Sequence, residues 1–234
     1  STLSSSSAAS DVYKRQLYEQ TKCVIYGGPK LGKSVLAQQL SMCLVLGIPW
    51  IGFHTVKCSV LYVQAEISEL LFKDRVMSMG AGKTIPPGTL NFSTVTGLHL
   101  DKAEPAQRLQ TVVKRHKPDV VILDPKYKLV SSNDENSIIR FTDTVDELIL
   151  LGTSVVVIEH ARKPRMANSG QIIDMGGSEL RGPIIEQWAD SIIRLRGDLT
   201  TDERVVKFEL RHAVQPVGFK KLQMERKPLW FKEI

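Results

Sequence analysis

Short apolar runs bounded by turn residues recur along the chain, with stretches of helical character between them. The runs at 23–26, 60–64, 120–124, 154–159 and 191–195 are continuous in Val, Ile and Leu rather than alternating. That is the pattern of strands covered on both faces. Residues 33–46, 68–79, 103–116, 137–151 and 183–188 read as helices, and 35–46 as an amphipathic one. Strand and helix in alternation predict βαβ units and a parallel sheet. After Gly197 the pattern changes. Residues 204–212 and 217–224 are short, alternating and joined by a Pro-containing turn, which predicts an antiparallel hairpin extending the sheet. Two long polar loops, 126–136 and 161–177, follow strand ends, where binding groups usually sit. No internal repeat is visible.

The link between the first strand and the first helix carries chemistry. Gly27, Gly28, Pro29, Lys30, Leu31, Gly32, Lys33 and Ser34 fit G-x-x-x-x-G-K-[ST], the phosphate-binding loop, and Val35 opens the helix after it. Inward-turned backbone N–H groups bind a phosphate tail, and glycines permit that turn and a close approach. The helix aims the positive end of its dipole at the same anions. Lys33 is expected to reach the β- and γ-phosphates and the Ser34 hydroxyl to bind Mg²⁺.

Two further runs end in acids. Residues 120–124 finish at Asp124, expected to hold Mg²⁺ through water beside Ser34; alone, the run could equally be a buried strand capped by a turn Asp. Residues 60–66 finish at Glu66, a candidate to orient or deprotonate an attacking water, against the plainer reading of a carboxylate at a helix start, a place Glu69 could also fill. The run ending at Glu159 and His160 offers two groups that could sense the γ-phosphate; the plainer reading is a strand-end histidine satisfied by backbone. Arg162, Lys163 and Arg165, with Arg181 beyond, make the loop after it basic. Such a loop suits contact with a nucleic-acid backbone or is a solvated face, and no aromatic residue interleaves it for base stacking.

Composition narrows the class. The 234 residues, 42% of them hydrophobic, suit one domain with a sizeable core, and no apolar run approaches the roughly 20 residues of a membrane span. Cys23, Cys43 and Cys58 lie in or beside apolar runs without C-x-x-C spacing, so they read as buried thiols of a cytoplasmic protein rather than a disulfide or zinc framework. A net charge of +6 allows a polyanionic partner without requiring one. Residues 1–10 are a Ser/Ala tract and 11–16 resemble the in-frame translation of a sequencing adapter, so 1–16 are expected to be disordered and outside the fold.

The loop 28–40, the strand ending at Glu66, Asp124, the strand ending at Glu159 and His160, and the segment 177–190 come in an order that resembles the RecA-like ATPases. The likeness is to the branch of plasmid hexameric helicases that includes RepA, with DnaB-type helicases as wider relatives. The separation of Glu66 from Asp124 supports this, because in the AAA+ class the catalytic Glu directly follows that Asp, and here Pro125 does. The resemblance implies a three-layer α/β RecA-like domain over 17–234 and Mg²⁺-dependent ATP hydrolysis. It further implies a DNA-replication or repair motor of phage, plasmid or microbial origin acting on single-stranded DNA, and a homo-oligomeric ring or filament, the hexamer among the ring forms. In such rings a neighbour's arginine completes the ATP site, and Arg211 fits the place of the K-x-R arginine, although Glu209 replaces the first basic residue. Two other readings remain open: a regulatory ATP-binding switch of the recombinase-paralogue or KaiC-like kind, and a small-molecule kinase with Arg162, Lys163 and Arg165 as its lid.

Overall fold

The computed structural model describes residues 19–161, 183–211 and 217–234. Among them one sheet runs in the order β3-β2-β4-β5-β1-β6-β7-β8-β9. The strands are β1 (Lys22–Gly27), β2 (Val60–Gln64), β3 (Leu90–Thr94), β4 (Val120–Asp124), β5 (Ser154–His160), β6 (Ser191–Arg196), β7 (Glu203–Leu210), β8 (Phe219–Arg226) and β9 (Leu229–Glu233). Pairing is parallel from β3 through β6 and antiparallel from β6 through β9. The helices are α1 (Lys33–Leu46), α2 (Glu69–Met79), α3 (Ala103–His116), α4 (Glu135–Leu150) and α5 (Pro183–Trp188).

The three layers follow from period-two alternation in the central strands. Cys23 and Ile25 of β1 join a core with α1 and α2, while Val24 and Tyr26 face the opposite core with α3, α4 and α5. Two of the helices start where a side chain accepts an orphan N–H group. Ser68 caps α2 through the Leu71 N–H, and Asp134 caps α4 through the Ser137 N–H. Asp134 starts α4 two residues ahead of the expected 137.

The parallel core and the helices match the expectation from apolar patterning, with three corrections. β3 escapes the pattern because Leu90–Thr94 is a half-exposed edge strand with polar positions and no continuous apolar run. The hairpin is a three-stranded meander, since Leu229–Glu233 adds β9. Helix α1 is not amphipathic: all but two of its 14 residues are buried, Gln38, Gln39 and Ser41 included.

That burial has a clear cause. Strand β9 packs against α1 and also meets α2. Gln39 fixes the contact: its amide nitrogen donates to the Phe231 carbonyl at 2.9 Å and its oxygen accepts from the Phe231 N–H at 2.7 Å. Gly32, at φ 96°, lies against the Phe231 ring, which would come within 2.8 Å of a Cβ there. Residues 1–16 and the basic positions Arg162, Lys163, Arg165 and Arg181 lie outside the described residues, as does His212 at the end of the expected strand.

Gln39→Leu removes both partners of a buried backbone group pair at nearly constant side-chain volume. The cost of two unsatisfied groups is about 2–6 kcal/mol. Denaturant titration is expected to show that loss, and an unchanged midpoint would rule out this link as a support of the fold.

Candidate nucleotide site

The carboxyl ends of β1, β2, β4 and β5 lie side by side, as the registers Gly27↔His160 and Gln64↔Asp124 require. Ligands of open α/β sheets bind at such an edge. Here it holds a cavity of about 360 Å³ lined by Lys30, Gly32, Lys33, Ser34 and Val35 from the loop, by Glu66, Asp124 and His160 from the other strand ends, and by Gln38, Arg75, Met224 and Leu229 from the walls.

Gly27 ends β1 flush against β6, where a Cβ would stand 2.3 Å from the Leu195 carbonyl oxygen. The loop then turns through left-handed conformations at Lys30 (φ 62°) and Gly32 (φ 96°), the kind of backbone from which anion-binding N–H nests are built. Leu31 is anchored from outside: its carbonyl accepts from Nε of Arg204 at 3.1 Å. Arg204 is 3% exposed, and its Nη1 donates to the carbonyls of Asp198, Thr201 and Glu203. Thus β7 holds the loop in shape.

Inside the cavity Lys33 donates to the Gly28 carbonyl at 2.7 Å and lies 3.3 Å from His160 Nδ1. Burial pulls its ammonium down to about 8, against the opposing pull of Asp124, Glu66 and Glu159. Ser34 Oγ donates to Asp124 Oδ1 at 3.0 Å, and Tyr62 Oη donates to Asp124 Oδ2 at 2.5 Å. Burial pushes Asp124 up to about 6 even though both hydroxyls favour its charged form.

Glu66 is exposed at the cavity mouth and accepts from Tyr127 Oη at 3.0 Å. Its backbone is fixed by Gln64, whose side-chain oxygen accepts the N–H groups of Glu66 and Ile67 at 3.0 and 2.9 Å. The two strand-end groups of β5 part company. His160 lines the cavity, and its ring meets the Tyr127 ring edge-on at 5.0 Å. Glu159 is wholly buried, accepts the His160 N–H at 2.8 Å, and forms an ion pair with equally buried Lys126 at 2.6 Å, at an angle poor for a hydrogen bond.

Arg211 stands apart. Its N–H bonds the Asp190 carbonyl, and Asp190 in turn bonds Lys22 at the start of β1, so Arg211 occupies the end of the sheet opposite its own phosphate loop. Tyr62, Arg75, Tyr127 and Arg204 escape the reading of the sequence. Tyr127 follows Asp124 by three residues and Arg75 follows Glu66 by nine, but neither spacing reveals an inward side chain without the fold.

The family model described as the AAA domain matches residues 3–166. The chain belongs to this family. The match takes in the phosphate loop, Glu66, Asp124 and His160, while β6 to β9 lie beyond it. No curated protein matches the chain. Membership makes the domain a P-loop ATPase and implies ATP, typically with Mg²⁺, as what its cavity takes. The donor set fits: a hydroxyl and a carboxylate 3.0 Å apart beside Lys33 are hard oxygen ligands of the kind Mg²⁺ shares with phosphates. Among the described residues no group of three or more His, Cys, Asp or Glu could hold a metal alone, so the phosphates would complete the shell. Among the same residues no helix is long and apolar enough to cross a membrane.

The buried Asp124 gives a pH-dependent test. Between about pH 4 and 6 the folded protein keeps a proton on Asp124 that the unfolded chain has released. The stability of the nucleotide-free protein therefore falls as pH rises through that window. Moving a carboxyl from 3.8 to about 6 costs up to about 3 kcal/mol. Asp124→Asn is expected to raise the melting temperature of the free protein at pH 7–8, with the gain vanishing below about pH 4, and to lose the Mg²⁺-dependent part of ATP stabilisation. Thermal melts across pH check both; a variant less stable at pH 8 would contradict the assignment.

Proposed function

We propose that this AAA-family domain is a DNA-stimulated ATPase motor of the helicase-like kind. The observation that carries it is the meeting of Glu66, just beyond β2, with Ser34 of α1 and Asp124 of β4 around Lys33 in one cavity. On this reading Glu66 is the water-activating carboxylate, separate from Asp124 as the metal-holding one. Ser34 and Asp124 would hold Mg²⁺, which supplies charge neutralisation on the phosphates. Lys33 neutralises the β- and γ-phosphates and His160, 3.3 Å from Lys33, senses the γ-phosphate. Glu66 accepts the proton of the water that attacks the γ-phosphorus as the bond to the β-phosphate oxygen breaks, releasing ADP and inorganic phosphate.

The remote position of Arg211 supports assembly. It cannot serve its own chain's nucleotide from the far end of the sheet, so a role at an ATP site requires a second copy, as in a ring or filament. The basic residues Arg162, Lys163 and Arg165 follow directly on the strand that ends at His160, which suits them to report nucleotide state to a bound strand.

Phosphate release from ATP by the full chain, with and without single-stranded DNA, tests the reading beside Lys33→Ala and Glu66→Gln. DNA is expected to raise turnover several-fold. Both substitutions should lower it by about 10²-fold or more, with Glu66→Gln still binding ATP. Tight ATP binding with slow turnover indifferent to DNA would replace the motor with a nucleotide-controlled switch.

A further inference from the structure

The turn after Asp124 does more than end β4. Pro125 leads into a single 3₁₀ turn, Lys126–Lys128, whose side chains touch the ends of two other strands. Lys126 is driven inward to the Glu159 carboxylate of β5, both fully buried. A buried ion pair contributes little net stability and its geometry is demanding, so it fixes position more than it adds energy. With Lys126 pinned, the next residue has one course: Tyr127 projects across the cavity mouth. Its hydroxyl donates to Glu66 at 3.0 Å at the end of β2, and its ring packs edge-on at 5.0 Å against His160 at the end of β5.

We propose that Tyr127 is a positioning residue with two separable contacts: its hydroxyl aims the Glu66 carboxylate at the attacking water, and its ring holds His160 toward the γ-phosphate. The inference rests on the ATPase reading above and adds a residue to it. Three features carry it. Tyr127 bridges groups from two strands that share no pairing, since β4 lies between β2 and β5. Glu66 is otherwise exposed, and a free glutamate samples several rotamers, so one charge-assisted hydrogen bond selects the working one. The phenol is a donor at any assay pH, because burial and the Glu66 bond push it up to about 12. The hydroxyl occupies Oε1 and leaves Oε2 to meet the water.

The two contacts come apart by substitution. Tyr127→Phe keeps the ring and deletes the hydroxyl; Tyr127→Leu deletes both. The site is half-buried, so neither change opens a core cavity. Steady-state turnover by the full chain and calorimetric affinities for ADP and a non-hydrolysable ATP analogue, all with Mg²⁺, are measured together. Tyr127→Phe is expected to lower kcat about tenfold, the scale of one hydrogen bond to a charged group, with KM and both affinities unchanged. Tyr127→Leu is expected to show the same fall and, in addition, a several-fold loss of preference for the ATP analogue over ADP. A Phe variant that turns over like wild type overturns the hydroxyl half, and a Leu variant with unaltered preference overturns the ring half. A wild-type chain that binds ATP without turnover sinks the ATPase reading and the hydroxyl half with it, while the preference of the Leu variant still decides the ring half.

Discussion

Helix α1 must be enclosed. It starts from the phosphate loop, and its residues are apolar or buried on every side, so a flat sheet covering one face would leave the rest in water. The chain meets this demand in part by packing β9 of the same sheet against α1 and α2. Burial of apolar surface is the main drive for that closure. The polar groups trapped by it are resolved locally, as the paired bonds between Gln39 and Phe231 show.

From this enclosure follows the shape of the nucleotide cavity. Met224 and Leu229 stand in its wall because β8 and β9 have been brought over the loop, and Gly32 is tight against Phe231 for the same reason. The loop is braced from two directions, by α1 within and by the buried guanidinium of Arg204 behind Leu31. Within this fixed frame Lys33 and Asp124 are both displaced from their ordinary ionisation toward neutrality by burial. Phosphates and a divalent cation would restore the charged forms, so the free site is held in a costly state that its ligands relieve.

Much of this was legible in the sequence where local pattern and global structure agree. The continuous apolar runs gave five of the six parallel strands, and the phosphate-loop spacing marks the start of α1, because backbone geometry there dictates residue type. The acids at strand ends could be picked out because strand polarity puts them at one edge. β3 was hidden because an edge strand needs few apolar residues, and β9 because its apolar run, Leu229 to Phe231, is short. The all-round burial of α1 was hidden because Gln38, Gln39 and Ser41 read as a polar face, and only tertiary partners reveal otherwise. Tyr127, Tyr62 and Arg204 act across strands distant in the chain, a relation no local spacing encodes.

The bond pair between Gln39 and Phe231 also decides how copies of this domain can meet. A sheet's last strand normally offers a ladder of free N–H and C=O groups on which a foreign strand can build. Here the outward N–H and C=O at the centre of β9 are already taken by a side chain of the same molecule. The ladder is interrupted where a visiting strand would have to nucleate. Growth of a continuous sheet from that border is thereby hindered, so strand addition is left to the opposite border at β3.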